Sequence, residues 1–198
     1  ILVKECYHKL MANKKFINSL KHLAQDCPPV WFMRQAGRYH KHYQNLRSHH
    51  SFMDLCKEPH LAAEVALGPI EDFDFDVAIL FSDLLFPLEA LGMGLSYPEG
   101  SGPQLGMHLN SNTLLKLRDP IDAAKDLLFQ KEAVIQTRAK LPLEKSLIGF
   151  VGGPWTLFAY AVEGKHQGGL VETQRQLPLY EDFLKILLPL LKENIRFQ

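Results

Sequence analysis

A run of basic side chains without acidic neighbours is the first feature that could do chemistry. Residues 27–53 contain no Asp or Glu, but they include Arg34, Arg38, Lys41 and Arg47 together with four histidines. Arg34 and Arg38 are four positions apart, so one helical turn would direct both side chains the same way. Each guanidinium can hold a carboxylate through two parallel hydrogen bonds. The segment predicts a site for an anionic ligand, and a solvated basic loop is the alternative.

Two other polar positions follow apolar runs. Asp83 comes after residues 77–81 and is a single acid among apolar neighbours. It fits either a helix N-cap or an acceptor for donors on a bound ligand. Tyr160 lies on the helix predicted after Gly152 and Gly153, and it fits either packing or hydrogen-bond donation. That glycine turn lacks the G-x-G-x-x-G pattern and the lysine of a P-loop, so it is only a weak signal for phosphate binding.

The elements that must position these residues alternate along the chain. Apolar periodicity, Pro and Gly predict helices at 14–26, 59–73, 119–140, 156–163 and 175–197, buried strands at 30–33, 77–81 and 147–151, and a loop or hairpin at 92–106. Such alternation predicts a parallel sheet with crossover helices, and a doubly wound sheet and a barrel both fit it. In either fold, ligands bind at the carboxyl ends of the strands, where the polar positions lie.

The composition is that of an ordinary globular protein. The 198 residues are 46% hydrophobic, and 22 basic residues balance 22 acidic ones. A net charge of +0 argues against a general nucleic-acid or anionic-membrane binder, although a local basic pocket remains compatible with it. The cysteines Cys6, Cys27 and Cys56 form no C-x-x-C pair, and they fit reduced thiols of a cytoplasmic protein.

Two patterns superficially indicate metal binding. His40 and His42 have a spacing that some metal sites use, but exposed or anion-facing histidines explain them better. The acids Asp72, Asp74 and Asp76 suggest a calcium loop, yet the Gly and Glu that such a loop requires at its sixth and twelfth positions are missing. No metal site is predicted.

Long strings at the predicted strand ends resemble one family. Residues 29–39 and 148–160 are similar to the two signatures of the uroporphyrinogen decarboxylase family, and residues 78–85 and 90–93 match its pattern in order and spacing. The resemblance implies a (β/α)8 TIM barrel, of which residues 1–198 would be the N-terminal part of a single domain with about three βα units. It further implies a homodimer without metal or organic cofactor. Its substrate would be uroporphyrinogen, a polyanionic tetrapyrrole whose four acetates become methyl groups.

The resemblance also assigns roles to individual residues. Its substrate-contacting positions fall on Arg34, Gln35, Ala36, Arg38, Asp83 and Tyr160. Arg34 and Arg38 would bind carboxylates, and one of them is a candidate proton donor. Asp83 would accept hydrogen bonds from the pyrrole N–H groups, and Tyr160 would be the active-site tyrosine. Cationic and acidic groups are thus expected to face one cavity shaped for the macrocycle.

Two other functions fit the same sequence. One is a methyltransferase on the same barrel, which would use zinc, and the other is a non-catalytic tetrapyrrole binder. The chain begins at Ile1 and ends at Gln198 within an apolar, helix-like run, so a fragment of a longer protein is expected. A serine-bearing loop and a histidine of the family's site would then lie outside this chain. Alone, the 198 residues are expected to be inactive and poorly soluble.

Overall fold

The fold was analysed in a computed structural model that describes residues 13–98, 100–164 and 169–198. The helices in chain order are α1 (Lys14–Leu20), α2 (Lys41–His49), α3 (Phe52–Lys57), α4 (Pro59–Phe73), α5 (Phe86–Leu88), α6 (Ser111–Leu114), α7 (Pro120–Lys125), α8 (Leu128–Lys140), α9 (Pro154–Glu163), α10 (Val171–Arg175) and α11 (Tyr180–Phe197). The strands are β1 (Val77–Ile79) and β2 (Ser146–Ile148). A π-helical turn (Glu89–Met93) follows α5, and a 3-10 turn (Leu177–Leu179) precedes α11.

The chain forms two compact units. The first comprises the described parts of Ile1–Ser82 together with Glu132–Gly149. The second comprises the described parts of Asp83–Lys131 and Phe150–Gln198. The basic segment lies in the first unit, whereas Asp83 and Tyr160 lie in the second.

The first unit is built around a parallel pair of strands. Val77, Ala78 and Ile79 of β1 pair in register with the three residues of β2, and the Leu80 N–H donates to the Ile148 carbonyl at 2.9 Å. Ala78 packs with Leu67, Ile70 and Leu141 from the helical segments that cover the strands. The predicted parallel pairing is confirmed, although each strand is shorter than its apolar run.

Helix α4 supplies much of that core. Pro59 occupies its first turn, where a missing N–H costs nothing, and Asp74 ends it in a left-handed conformation with φ of 54°. Between these ends its residues are mostly apolar, and Leu61, Val65 and Ile70 are almost fully buried. The predicted bounds of this helix, 59–73, are confirmed.

The predicted buried strand at residues 30–33 is wrong. The exposed fractions of these four side chains range from 37% at Trp31 to 79% at Met33, and the segment is not a strand. The Val30 carbonyl accepts one backbone hydrogen bond, from the Asp76 N–H at 3.0 Å. One such bond does not make a ladder, and a preceding Pro28-Pro29 pair offers no N–H donors.

Several predicted helices have different bounds. The helix predicted at 14–26 ends at Leu20, and its apolar face is not buried, since Leu20 and Leu23 are more than half exposed. The helix predicted at 119–140 is two helices, α7 and α8, and Asp119 caps the first as expected by accepting from the Ile121 and Asp122 N–H groups. The stretch predicted at 175–197 is divided among α10, the 3-10 turn and α11.

The core of the second unit contains a cluster of aromatic rings and a buried pair of amides among its aliphatic residues. Phe158 of α9 is fully buried and contacts Trp155, Tyr180 and Phe183. Helix α11 packs against α7 and α9, and its buried Asn194 donates to the Gln130 side chain at 2.6 Å. Within the described ranges, no helix combines the length and hydrophobicity required to cross a membrane.

Each of the three alternating acids has its own protein partner. The Asp72 carboxylate contacts His40 Nε2 at 2.6 Å, and the Asp74 carboxylate pairs with Lys145. Asp76 accepts from the Val30 N–H at 2.8 Å, from Asn13 at 2.9 Å and from Lys15 at 3.3 Å. Burial alone would raise the pKa of Asp76, but these hydrogen bonds outweigh it and hold the pKa below its ordinary value.

We expect Asp76→Asn to weaken the acid dependence of stability. Because the pKa of Asp76 is lower in the folded protein, its ionisation stabilises the fold above the ordinary aspartate pKa of about 3.9, and that stabilisation is lost as pH falls through the folded pKa. The variant should lose about 1–2 kcal/mol of unfolding free energy at neutral pH and show a flatter acid limb in urea titrations of the complete protein. Asp26→Asn, at an exposed position of the same unit, should leave both quantities unchanged.

Candidate active site

Arg34 and Arg38 lie on an exposed turn rather than on a helix. This segment, residues 32–39, is called the arginine loop below. Its two turns are closed by hydrogen bonds from the Gln35 N–H to the Phe32 carbonyl at 3.1 Å and from the His40 N–H to the Gly37 carbonyl at 2.9 Å. The predicted helical turn between the two arginines is therefore wrong. Both arginine residues are exposed, so that their charges are accessible to an anion.

The backbone at Arg34 is left-handed. Its φ of 63° is a conformation that costs a residue with a Cβ roughly 1–2 kcal/mol. The conformation is part of the loop geometry that places Arg34 on one turn and Arg38 on the next. Such strain persists only where surrounding contacts determine the backbone, and here those contacts come from the following residues.

Gln35 anchors the arginine loop to β1. Its side chain is 1% exposed, donates to the Val77 carbonyl at 3.1 Å and accepts from the Phe32 N–H at 3.2 Å. The Tyr39 hydroxyl donates to the Gln35 carbonyl. Ala36 is partly buried and packs against the cluster around Tyr43. Sequence reasoning missed the anchoring role of Gln35, and the predicted contacts of Gln35 and Ala36 with substrate stay predictions.

The histidines after the loop contribute to packing. His40 is 4% exposed, bonds to Asp72 and lies against the Phe73 ring at a centroid distance of 5.2 Å. A Cβ on Gly68 would lie 2.4 Å from the imidazole of His42. The ring of His40 is therefore not exposed; it fills space beside α4, and the anion that it faces is the Asp72 carboxylate. Across the described ranges, no group of three or more His, Cys, Asp or Glu residues could hold a metal ion.

In the second unit, both oxygens of Asp83 accept hydrogen bonds. Oδ1 accepts from the Leu85 N–H at 2.7 Å, and Oδ2 accepts from the Tyr97 hydroxyl. The N-cap of α5 is Leu85, so Asp83 is not the cap of that helix, although it satisfies a backbone donor two residues on. Burial raises the pKa of Asp83, and the hydrogen bonds from Tyr97 and Leu85 offset only part of that rise.

Tyr97 belongs to the short hairpin expected within residues 92–106. Its neighbour Ser96 pairs antiparallel with Gln104 through two backbone hydrogen bonds of 2.9 Å. Sequence reasoning missed Tyr97, because nothing in the local pattern relates an aromatic residue of this loop to an acid fourteen positions earlier. The Gly and Pro content predicted a loop or a hairpin here, and the antiparallel pairing shows that the segment is a hairpin.

Tyr160 is half-buried on α9, next to the buried Ala161. The helix begins at Pro154 and ends at Glu163, and Gly164 caps it with a left-handed φ of 73°. Before the helix, Gly152 approaches the Asp83 segment closely, since a Cβ there would lie 3.0 Å from the Leu84 carbonyl oxygen. The glycine turn thus has a packing reason, and the role of Tyr160 stays a prediction.

Known proteins match this chain over a range that includes the candidate site residues. The uroporphyrinogen decarboxylase (URO-D) family model matches residues 11–196. Among curated relatives, the uroporphyrinogen decarboxylase of Francisella philomiragia is 44% identical over 153 residues, covering 76% of this chain and 44% of that protein. The uroporphyrinogen decarboxylase of Hahella chejuensis is 38% identical over 186 residues, covering 93% of this chain and 52% of that protein. This chain therefore has about half the length of these relatives.

A solved structure supports the fold. A methyltransferase from Methanosarcina mazei superposes with a TM-score of 0.63 at 20% identity, covering 95% of this chain and 54% of that chain. At this identity the likeness concerns the fold alone, and with the family match it indicates a TIM-barrel-type fold. The finer prediction of about three βα units is not confirmed, because the described residues contain one parallel pair of strands.

Proposed function

Because this chain belongs to the uroporphyrinogen decarboxylase family, we propose that it is the N-terminal part of an enzyme that decarboxylates uroporphyrinogen. The four acetate side chains become methyl groups, and the product is coproporphyrinogen. Residues 1–198 are one part of a single barrel domain, and the complete enzyme is a cytoplasmic homodimer. The observation that carries the proposal is a partly buried carboxylate, Asp83, held by two donors in a segment that matches the family pattern.

The arginine loop supplies the substrate-binding charges. Uroporphyrinogen carries eight carboxylates, and exposed guanidinium groups on a loop without acids suit such a ligand. Arg34 and Arg38 each bind a carboxylate, for roughly 1.5–3 kcal/mol per charged hydrogen bond. Gln35 and Ala36 contact the substrate from the same loop, and one of the two arginines delivers the proton. The buried amide of Gln35 supports this arrangement by holding the loop on β1.

Asp83 supplies the electrostatic part of the reaction. A proton adds to the ring α-carbon next to the carbon that bears the acetate, and the ring becomes cationic. The bond to the carboxylate then breaks, CO2 leaves, and the electron pair flows into the ring. A second proton completes the methyl group as the ring carbon loses the first one, so each cycle exchanges CO2 for one proton. Asp83 accepts from the pyrrole N–H groups and stabilises the cation, while Tyr160 lines the same face of the substrate.

The charge of Asp83 is selective for the intermediate. At about 4 Å and an effective dielectric constant near 20, an aspartate and a cationic ring attract by about 4 kcal/mol. The neutral pyrrole is attracted much less strongly to the same carboxylate. The interaction therefore lowers the free energy of the barrier more than that of the bound substrate. Partial burial strengthens this effect, because it reduces the screening of the carboxylate by water.

The test is an assay of the complete protein that contains this chain. Anaerobic incubation with uroporphyrinogen should release four CO2 for each coproporphyrinogen formed. Bound zinc and methyl transfer without CO2 release would instead support the methyltransferase, and tight binding of the tetrapyrrole without turnover would support the non-catalytic binder. The 198-residue chain assayed alone is the matched control, and we expect no turnover from it.

A further inference from the structure

We infer that Tyr97 is a positioning residue for Asp83, whose hydroxyl fixes the orientation in which the carboxylate receives the pyrrole N–H groups. The inference rests on the proposed decarboxylase function and adds a residue to its site. Tyr97 acts through Asp83 and is not assigned a contact with the substrate. The Tyr97 hydroxyl donates to Asp83 Oδ2, while the Leu85 N–H donates to Oδ1 at 2.7 Å.

Two donors on different oxygens determine the plane of a carboxylate. A single donor would let the group rotate about its Cβ–Cγ bond, whereas the Leu85 N–H and the Tyr97 hydroxyl hold both oxygens at once. An ionised carboxylate has about four acceptor sites, so roughly two stay available after these bonds. Those remaining sites have fixed directions, which suits a ligand whose ring N–H groups converge on one point.

The backbone that carries Tyr97 is itself fixed. Ser96 and Gln104 are joined by two backbone hydrogen bonds, each of 2.9 Å. The second arm of the hairpin continues to Leu109, whose N–H donates to the Ala161 carbonyl of α9 at 2.7 Å. The position of the hydroxyl is thus set by the fold of the second unit, as a positioning group requires.

Tyr97 also favours the ionised form of Asp83. Burial raises the pKa of this carboxyl, and the Tyr97 hydroxyl and the Leu85 N–H act in the opposite direction because they donate to the charged form. Removing the hydroxyl should therefore raise the pKa of Asp83 further. The acid limb of the pH–rate profile, which reports the fraction of ionised Asp83, should move to higher pH in response.

The experiment compares Tyr97→Phe with the wild type in the complete protein. We expect kcat to fall about tenfold, because the hydroxyl donates to a charged carboxylate and holds its orientation, while KM changes less than threefold. The acid limb should shift upward. Tyr180→Phe is the matched control, because Tyr180 packs its ring against Trp155 and Phe158 in the same unit, and it should change neither quantity.

A second measurement does not depend on turnover. The infrared band of the Asp83 carboxyl is isolated as the difference between each protein and the same protein carrying Asp83→Asn. This band should titrate at higher pH in Tyr97→Phe than in Tyr180→Phe. An unchanged titration together with an unchanged acid limb would overturn the inference. If the wild type fails to release CO2 while the band still shifts, the proposed function fails but the coupling of Tyr97 to Asp83 stands.

Discussion

Asp83→Asn should reduce kcat about a thousandfold while leaving KM within a few-fold of the wild type. The substitution keeps the shape of the side chain and an oxygen that can accept from the Leu85 N–H, but it removes the charge. The lost attraction for the cationic ring is about 4 kcal/mol, and each 1.4 kcal/mol corresponds to a tenfold change in rate. The rate of coproporphyrinogen formation by the complete protein, measured at saturating uroporphyrinogen, checks the expectation.

The matched control for Asp83→Asn is Asp126→Asn. Asp126 lies in the same unit, but it is half-exposed and pairs with Arg118 at the surface, where an ion pair contributes little. This variant should keep full activity. Turnover by Asp83→Asn within threefold of the wild type would refute the electrostatic role, whatever the behaviour of the control.

Arg34→Ala should raise KM about 10- to 100-fold and affect kcat less. The variant removes an exposed guanidinium that holds a substrate carboxylate, and such charged hydrogen bonds contribute roughly 1.5–3 kcal/mol each. Arg34→Lys should recover only part of the affinity, because an ammonium group cannot form the two parallel bonds of the arginine fork. Steady-state kinetics with uroporphyrinogen at fixed ionic strength would measure both effects.

Lys41→Ala controls for the general charge of the basic segment. Lys41 is also exposed, and its replacement by Ala removes the same unit of charge. It begins α2, however, and does not lie on the arginine loop. If Lys41→Ala raised KM as much as Arg34→Ala does, long-range attraction would explain the data and specific carboxylate binding by Arg34 would be wrong. A larger effect on kcat than on KM in Arg34→Ala would instead point to Arg34 as the proton donor.

The elements that could be predicted from the sequence are those set by the local pattern of apolar residues and prolines. Helix α4 begins at a proline and is mostly apolar inside, so both its bounds and its burial followed from the sequence. The strands β1 and β2 were located because a fully apolar run indicates a strand that is covered on both faces. Residues 30–33 have the same apolar character, yet their side chains are exposed and the segment makes a single backbone hydrogen bond to the residue before β1, so an apolar run alone does not specify a strand.

Residues of the candidate site that belong to a sequence motif could be predicted, but residues that join the site only through a tertiary contact could not. The resemblance identified Asp83 directly, but its partner Tyr97 is brought to it by the hairpin closed between Ser96 and Gln104. Likewise, spacing alone placed Arg34 and Arg38 on one helical turn, whereas the buried amide of Gln35 holds their loop in a different shape. Contacts that depend on tertiary packing have no signature in a single sequence.

The fit of His42 onto Gly68 has an evolutionary consequence. The imidazole occupies the space that a side chain at position 68 would need, with 2.4 Å between its ring and the missing Cβ. Position 68 therefore cannot diverge independently: a descendant that acquires a larger residue at 68 must first, or at the same time, exchange His42 for a residue that leaves room. Related chains with a larger residue at position 68 should therefore carry a smaller residue in place of His42.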